Sequence, residues 1–221
     1  RILRFFRFTA LFSTNKKFLE IEISALSDLR DGLDTISAER KSDEIFKLFA
    51  APNLIFSISL MEKTNIVPKV FHTYYFNSLA NLQDIESRHE ISPCATRRLA
   101  AYTEDNLKLH LRFSNKTAKT HKILRDEAKG SKGAAELSYR YNEKLALDIV
   151  LVRASLQGTE FSKEIFNQIK LGSTVEFPIK SSDIAEYFSG PKLGEILAFL
   201  EQKWIESDFT LNRTKLLATI A

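Results

Sequence analysis

Two arginines one helical turn apart, Arg1 and Arg4, have the residue type and spacing best suited to binding a ligand. A guanidinium group carries five N–H donors in a rigid fork that matches a phosphate or the edge of a nucleotide base. On a helix, residues three apart lie on the same side. The pair therefore predicts two forked donors directed at a nucleotide, although a basic amphipathic helix without a ligand has the same pattern.

A second candidate is the segment Gly190-Pro191-Lys192. Gly-Pro before a helix leaves main-chain amides free at the helix N-terminus, and Lys192 adds a positive charge, so the segment could bind a phosphate. Ordinary helix starts have the same composition, so this motif has low specificity.

Conventional catalytic and metal-binding motifs are missing from the sequence. The histidines lack metal-ligand spacing relative to one another or to Cys94, and the glycines are too sparse for a phosphate-binding loop. The histidines are His72, His89, His110 and His121. We therefore predict no metal site and no catalytic residue in this chain.

Positive charge is concentrated in the middle of the chain. Residues 88–153 contain 14 Lys and Arg against 8 Asp and Glu, whereas the net charge of the whole chain is +4. Such a segment is typical of a surface that faces phosphates, but solvated helix faces also carry many lysines and arginines. The candidate RNA-contacting residues in this segment are Arg97, Arg98, Arg112, Lys116, Lys119 and Lys122.

The elements that must position these residues are predicted to be helices. Only seven glycines and five prolines occur in 221 residues, and apolar residues recur with a helical period. Ser37, followed by Glu39, is a predicted helix N-cap. The predicted fold is an all-α, elongated helical array. Chain breaks divide it into blocks 1–64, 65–172 and 173–221.

Cellular location follows from composition. No run of about 18 apolar residues is present, so we predict no membrane span. A single cysteine, Cys94, fits a reducing compartment and predicts a cytoplasmic protein. Because the first residue is Arg1 and the only methionine is Met61, we expect the chain to be part of a longer product or one product of a split gene.

Taken in order, three segments resemble the class II tRNA nucleotidyltransferases, which include CCA-adding enzymes and bacterial poly(A) polymerases. In that family a Glu-Asp-x-x-Arg motif leads into LRxxRF, and Arg1-Ile-Leu-Arg-Phe-Phe-Arg-Phe matches from the motif's Arg onward. Residues 36–53 resemble the element that follows in the family's neck, and residues 177–209 resemble the bacterial tail. The resemblance covers essentially the whole chain and implies that its three blocks are neck, body and tail.

The resemblance implies specific roles. Arg1 would be the arginine that reads the base of the incoming CTP or ATP, and Arg4 would be a second nucleotide contact. The neck, body and tail together would hold the tRNA through contacts to its backbone. In the family a head domain supplies two carboxylates that hold Mg²⁺ for nucleotidyl transfer, and this chain lacks them. We therefore expect the chain to bind no cofactor itself and to be inactive without a head domain, which a separate gene could encode.

Three alternatives remain open from the sequence. The intact enzyme could add CCA or poly(A), because the features that distinguish them lie partly in the head. The chain could also be a stand-alone tRNA-binding module. Finally, it could be a non-catalytic remnant or a helical interaction scaffold with an exposed apolar face around Phe5, Phe6 and Phe12.

Overall fold

The computed structural model describes residues 1–12 and 20–220, apart from the side chain of His110. These described residues form helices, turns and loops, with no β-strand among them. The all-α prediction is therefore confirmed for this part of the chain. In the described ranges, no helix has both the length and the apolar character needed to cross a membrane.

The chain separates into two compact units. The first contains Arg1–Ser131 and Asp148–Ser162, and the second contains Lys132–Leu147 and Lys163–Ala221. One helix, α10 (Glu143–Gln157), contributes residues to both. The neck, body and tail blocks stay a prediction, because a division by compactness does not assign those roles.

The first unit is built from short and medium helices. Its α-helices are α1 (Ile2–Phe12), α2 (Glu20–Asp28), α3 (Ala38–Phe49), α4 (Leu54–Lys63), α5 (Phe76–Arg88), α6 (Ala95–Tyr102), α7 (Leu107–His110) and α8 (Asn115–Ala128). Two 3-10 helices, Arg30–Leu33 and Val67–Lys69, lie between them. The predicted cap at Ser37 is confirmed, since its hydroxyl accepts a hydrogen bond from the Arg40 amide at 3.4 Å.

A group of aromatic side chains lies within the largely aliphatic core of the first unit. Phe6 of α1, Phe49 of α3 and Tyr102 of α6 are all fully buried. The ring of Tyr102 lies 5.5 Å from Phe49 and 5.1 Å from Phe71 between centroids. These contacts between rings fix α3 and α6 against each other at a small number of large residues.

The second unit has its own core around Trp204. Besides the first part of α10 it contains α9 (Ala134–Arg140), α11 (Glu164–Thr174), the 3-10 helix Ser181–Asp183, α12 (Gly190–Glu206) and α13 (Arg213–Leu217). The ring of Trp204 lies 5.5 Å from Tyr139 and 4.9 Å from Phe209. At Gly172, α11 approaches the main chain of Ala135 so closely that a Cβ would lie 1.9 Å from its carbonyl oxygen.

Candidate functional site

Arg1 and Arg4 line one cavity of about 390 Å³ between the start of α1 and α3. Arg1 directly precedes α1, and its carbonyl accepts the first hydrogen bond of that helix from the Phe5 amide. The full lining is Arg1, Leu3, Arg4, Ile36, Arg40, Asp43, Glu44 and Lys47. The structure thus brings the two predicted nucleotide contacts together and adds charged residues from α3.

Local packing explains why α1 presents these arginines outward. Leu3 and Phe6 are buried, so the opposite side of α1 must face solvent. Two hydrogen bonds to main-chain carbonyls of α1 join it to residues 53–57. The Ser57 hydroxyl donates to the Phe6 carbonyl at 2.7 Å, and the Asn53 amide donates to the Ala10 carbonyl at 3.0 Å. The helix that carries the arginines is therefore fixed at its middle and its end.

The electrostatics of the cavity favour an anion. Four cations line it, whereas its carboxylates are only Asp43 and Glu44. Glu44 is paired with Arg7, whose Nε lies 2.8 Å from Glu44 Oε2. All four cations are exposed, and none has an ion pair in the described part of the chain. They are Arg1, Arg4, Arg40 and Lys47. Exposed, unpaired guanidinium and ammonium groups so arranged can bind phosphate or a base edge.

The residues predicted from the sequence to bind a ligand do not include Arg40 or Lys47. The sequence does indicate that these two cations share a charged helix face, because positions 40, 43, 44 and 47 have the spacing of one side of a helix. A cation lies at each end of that face. Only the packing of α1 shows that this face meets Arg1 and Arg4.

Two of the predicted RNA contacts, Arg97 and Arg98, are buried. Their exposed fractions are 3% and 2%. Arg97 donates to Glu86 Oε1 and to Asp148 Oδ1, each at 2.6 Å, and Arg98 lies 2.7 Å from Glu86 Oε2. Arg98 also donates to the main-chain carbonyls of Phe49 and Ala51, at 3.1 and 2.6 Å.

These contacts correct the assignment of Arg97 and Arg98 to phosphate contact. A buried guanidinium with carboxylate and carbonyl partners cannot reach RNA without unfolding its surroundings. Both residues instead join α6 to α5 through Glu86. Arg98 also donates to the carbonyl of Phe49, the last residue of α3, and to that of Ala51 just beyond the helix.

The remaining basic candidates of the middle segment are exposed. Arg112 pairs with Glu39 at 2.8 Å across the surface. Lys116, Lys119 and Lys122 lie on α8, and Lys122 pairs with Asp126 one turn later. Lys119 and Lys122 line a cavity of about 670 Å³ whereas Lys116 and Arg112 do not. This second cavity also contains Lys108, Lys129, Asn106, Asn115 and the buried His121, together with three carboxylates.

Lys192 lies in the second unit, in the first turn of α12. Gly190, the first residue of this helix, has a φ of 57°, in the left-handed region that glycine tolerates. Lys192 Nζ lies 3.1 Å from Glu195 Oε2, so its charge is partly offset by a carboxylate of the same helix. It remains exposed to solvent.

No family model matches the chain, and no curated protein matches it. In the described residues, no group of three or more His, Cys, Asp or Glu side chains is arranged to hold a metal ion. What the cavity between α1 and α3 supplies is a set of positively charged donors, fixed on two packed helices. Such a site can position an anionic ligand through hydrogen bonds and charge.

Proposed function

We propose that this chain is the RNA-binding, nucleotide-positioning part of a class II tRNA nucleotidyltransferase, acting with a catalytic head domain outside this chain. One observation carries the proposal. Arg1 and Arg4, which resemble the end of the family's nucleotide-reading motif, line a single cationic cavity with Arg40 and Lys47.

The cavity suits a nucleotide for two reasons. Arg1 and Arg4 offer forked donors that distinguish the edges of bases by their acceptor patterns. The cations of α3 lower the electrostatic cost of bringing a polyanion close. By its resemblance to the family, the chain orients CTP or ATP while the head domain holds Mg²⁺ and supplies the chemistry of transfer.

The exposed cations around α8 support the RNA half of the proposal. Lys116, Lys119 and Lys122 are exposed residues of α8, and Arg112 lies just before this helix. Cations of this kind neutralise phosphates on the RNA backbone, which gives shape-dependent binding with little sequence preference. In this proposal they hold tRNA while its 3′ end is extended.

Reconstitution with a head domain tests the proposal. The chain is co-expressed with the head domain of a class II enzyme, and incorporation of labelled CTP and ATP into tRNA is measured. We expect incorporation that falls at least about tenfold for Arg4→Gln, the loss expected when charged hydrogen bonds to the substrate are removed. Arg30→Gln, which removes the same charge from an arginine outside the cavity, should leave it unchanged. A verified complex that incorporates neither nucleotide contradicts the proposal.

The product distinguishes the two activities within the family. Addition that stops after two cytidines and one adenosine identifies a CCA-adding enzyme, whereas a long run of adenosines identifies a poly(A) polymerase. The α8 cations also support a second candidate, a stand-alone tRNA-binding module. That candidate predicts salt-sensitive tRNA binding by the chain alone and no incorporation with any head domain.

A further inference from the structure

The rings of Phe8 and Phe12 form an exposed aromatic pair on α1. Their centroids lie 5.8 Å apart and their planes are nearly parallel, at 18°. Phe8 is 39% exposed and Phe12 is 74% exposed. Because one side of Phe12 lies against Phe8 and most of the residue is accessible, the ring offers an open face to solvent.

Arginines flank this aromatic pair. The guanidinium carbons of Arg4 and Arg7 lie 5.3 and 4.8 Å from the centroid of the Phe8 ring, within the range of cation–π contact. Arg4 also lines the cationic cavity between α1 and α3. The aromatic pair and the cavity are therefore adjacent parts of one surface, linked through Arg4.

The composition of this surface selects its ligand. A purely apolar partner would cover Phe12 but would also take the charge of Arg4 out of water without a counter-charge, which is costly. The ligand must therefore cover the Phe12 ring and also supply a negative charge to Arg4. A single-stranded nucleic acid does both, because each nucleotide has a flat base that stacks on an aromatic ring and a phosphate that binds a cation. Paired bases within a duplex are already stacked and hidden, so an unpaired base fits best.

We propose that Phe12, supported by Phe8, stacks an unpaired nucleobase of an RNA strand whose neighbouring phosphate binds Arg4 at the edge of the cavity, beside the incoming nucleotide that Arg1, Arg40 and Lys47 hold. The inference rests on the proposed function, since it takes RNA as the ligand. It adds a binding site for a single-stranded segment that is separate from the α8 cations. Stacking does not depend on hydrogen bonding to the base, so the site tolerates all four bases.

Two RNA hairpins with the same stem test this site. One has a blunt end, and the other has a short single-stranded overhang that contains 2-aminopurine, whose fluorescence is quenched by stacking. We expect tighter binding of the overhang hairpin and quenching on binding. Phe12→Leu keeps an apolar side chain but removes the ring, and should weaken overhang binding by about fivefold or more. Phe12→Tyr should bind like the wild type.

Three controls separate stacking by Phe12 from a general effect of removing an aromatic ring and from a loss of folded protein. Tyr187→Leu removes an aromatic residue that is 76% exposed in the second unit, and should not change binding of either hairpin. Blunt-hairpin affinity should be the same for Phe12→Leu and the wild type. Thermal unfolding followed by circular dichroism checks that each variant is folded.

Each remaining outcome overturns the site in a distinguishable way. If both hairpins bind wild type and Phe12→Leu with equal affinity, the stacking site is wrong while RNA binding by the chain stands. If neither hairpin binds the wild type, the stacking site and the RNA-binding half of the proposed function are both wrong. If Phe12→Leu changes only the solution mass, Phe12 belongs to a contact between two copies of the chain.

Discussion

Arg7 Nε lies 2.8 Å from Glu44 Oε2, and this ion pair joins α1 to α3 at the wall of the cationic cavity. Both side chains are largely shielded, with 19% and 26% of their surface exposed. The pair neutralises one of the two carboxylates that line the cavity. It also places Arg7 beside the Phe8 ring, so a single contact affects both the packing of α1 and the charge of the site.

Removing the Arg7–Glu44 pair should loosen α1. We predict that Glu44→Gln lowers the free energy of unfolding by about 1 kcal/mol, because a partly buried arginine loses its carboxylate partner. Urea denaturation of Arg7→Gln, Glu44→Gln and the double variant measures the coupling. The double variant should lose less than the sum of the single variants; strict additivity would show that the two residues do not interact.

The buried carboxylate of Glu86 should be far more important to stability. It is 3% exposed and accepts hydrogen bonds from both Arg97 and Arg98. Glu86→Gln leaves two buried guanidinium groups facing a neutral amide, and we predict a loss of about 3 to 5 kcal/mol in the free energy of unfolding. Urea denaturation measures it.

The matched control for Glu86 is Asp84→Asn on the same helix, where an exposed carboxylate pairs with Arg88. This substitution should change the free energy of unfolding by less than about 0.5 kcal/mol. Equal effects of the two substitutions would contradict a structural role for the Glu86 cluster.

Exposed lysines on α8 should set the salt dependence of RNA binding. Replacing Lys116, Lys119 and Lys122 by Gln should reduce the slope of log affinity against log salt by about 0.7 to 0.9 for each phosphate that the variant no longer neutralises. Titrations of labelled tRNA at several salt concentrations measure the slope. The charge-matched control replaces three exposed lysines of the second unit, Lys163, Lys170 and Lys180. An equal fall in slope for the control would show that net charge alone governs binding.

His121 should make the first unit less stable in acid. It is 4% exposed, and its Nε2 lies 3.0 Å from the Thr103 carbonyl. Burial is the main cause that lowers the pKa of His121 below the ordinary value of 6.5; the nearby Arg125 charge also lowers it, whereas the Thr103 hydrogen bond raises it. Between the lowered pKa and 6.5 the unfolded chain binds more protons, so stability falls as pH drops through that window.

The variant His121→Gln isolates this effect, because its amide can still donate to Thr103 and does not titrate. Free energies of unfolding are measured by urea denaturation at about pH 7.5 and about pH 5. The wild type should lose more stability than the variant between these conditions. An equal loss in both would exclude His121 as the source.

Two glycines in helices should respond oppositely to alanine. A Cβ at Gly172 would lie 1.9 Å from the carbonyl oxygen of Ala135, so Gly172→Ala must push α11 away from α9. We predict a loss of about 1 to 3 kcal/mol in the free energy of unfolding. Gly194 has no atom within 4 Å of the same position, and Gly194→Ala should stabilise α12 by up to about 1 kcal/mol. Thermal and urea unfolding measure the change in stability of the two variants. Equal changes for Gly172→Ala and Gly194→Ala would contradict the close approach of Gly172 to Ala135.

Local features were predictable because they depend on neighbours in the chain. The helical period and the shortage of glycine and proline predicted an all-α fold, and the Ser37 cap depends only on the next three residues. The extent of α11 was less clear from sequence. The predicted boundary between blocks 65–172 and 173–221 falls inside this helix, which continues to Thr174. Gly172 does not end the helix; it allows the close approach to the main chain of Ala135 in α9.

By itself, the sequence determined that the chain is helical and that Arg1 and Arg4 lie one turn apart, since helix geometry is local. Only the tertiary structure decided which charges face solvent. Arg97 meets Asp148, 51 residues away, and is buried, whereas Arg40 joins the cavity of Arg1 and Arg4. A count of charges cannot distinguish these arginines, because burial depends on partners that folding brings from distant parts of the chain.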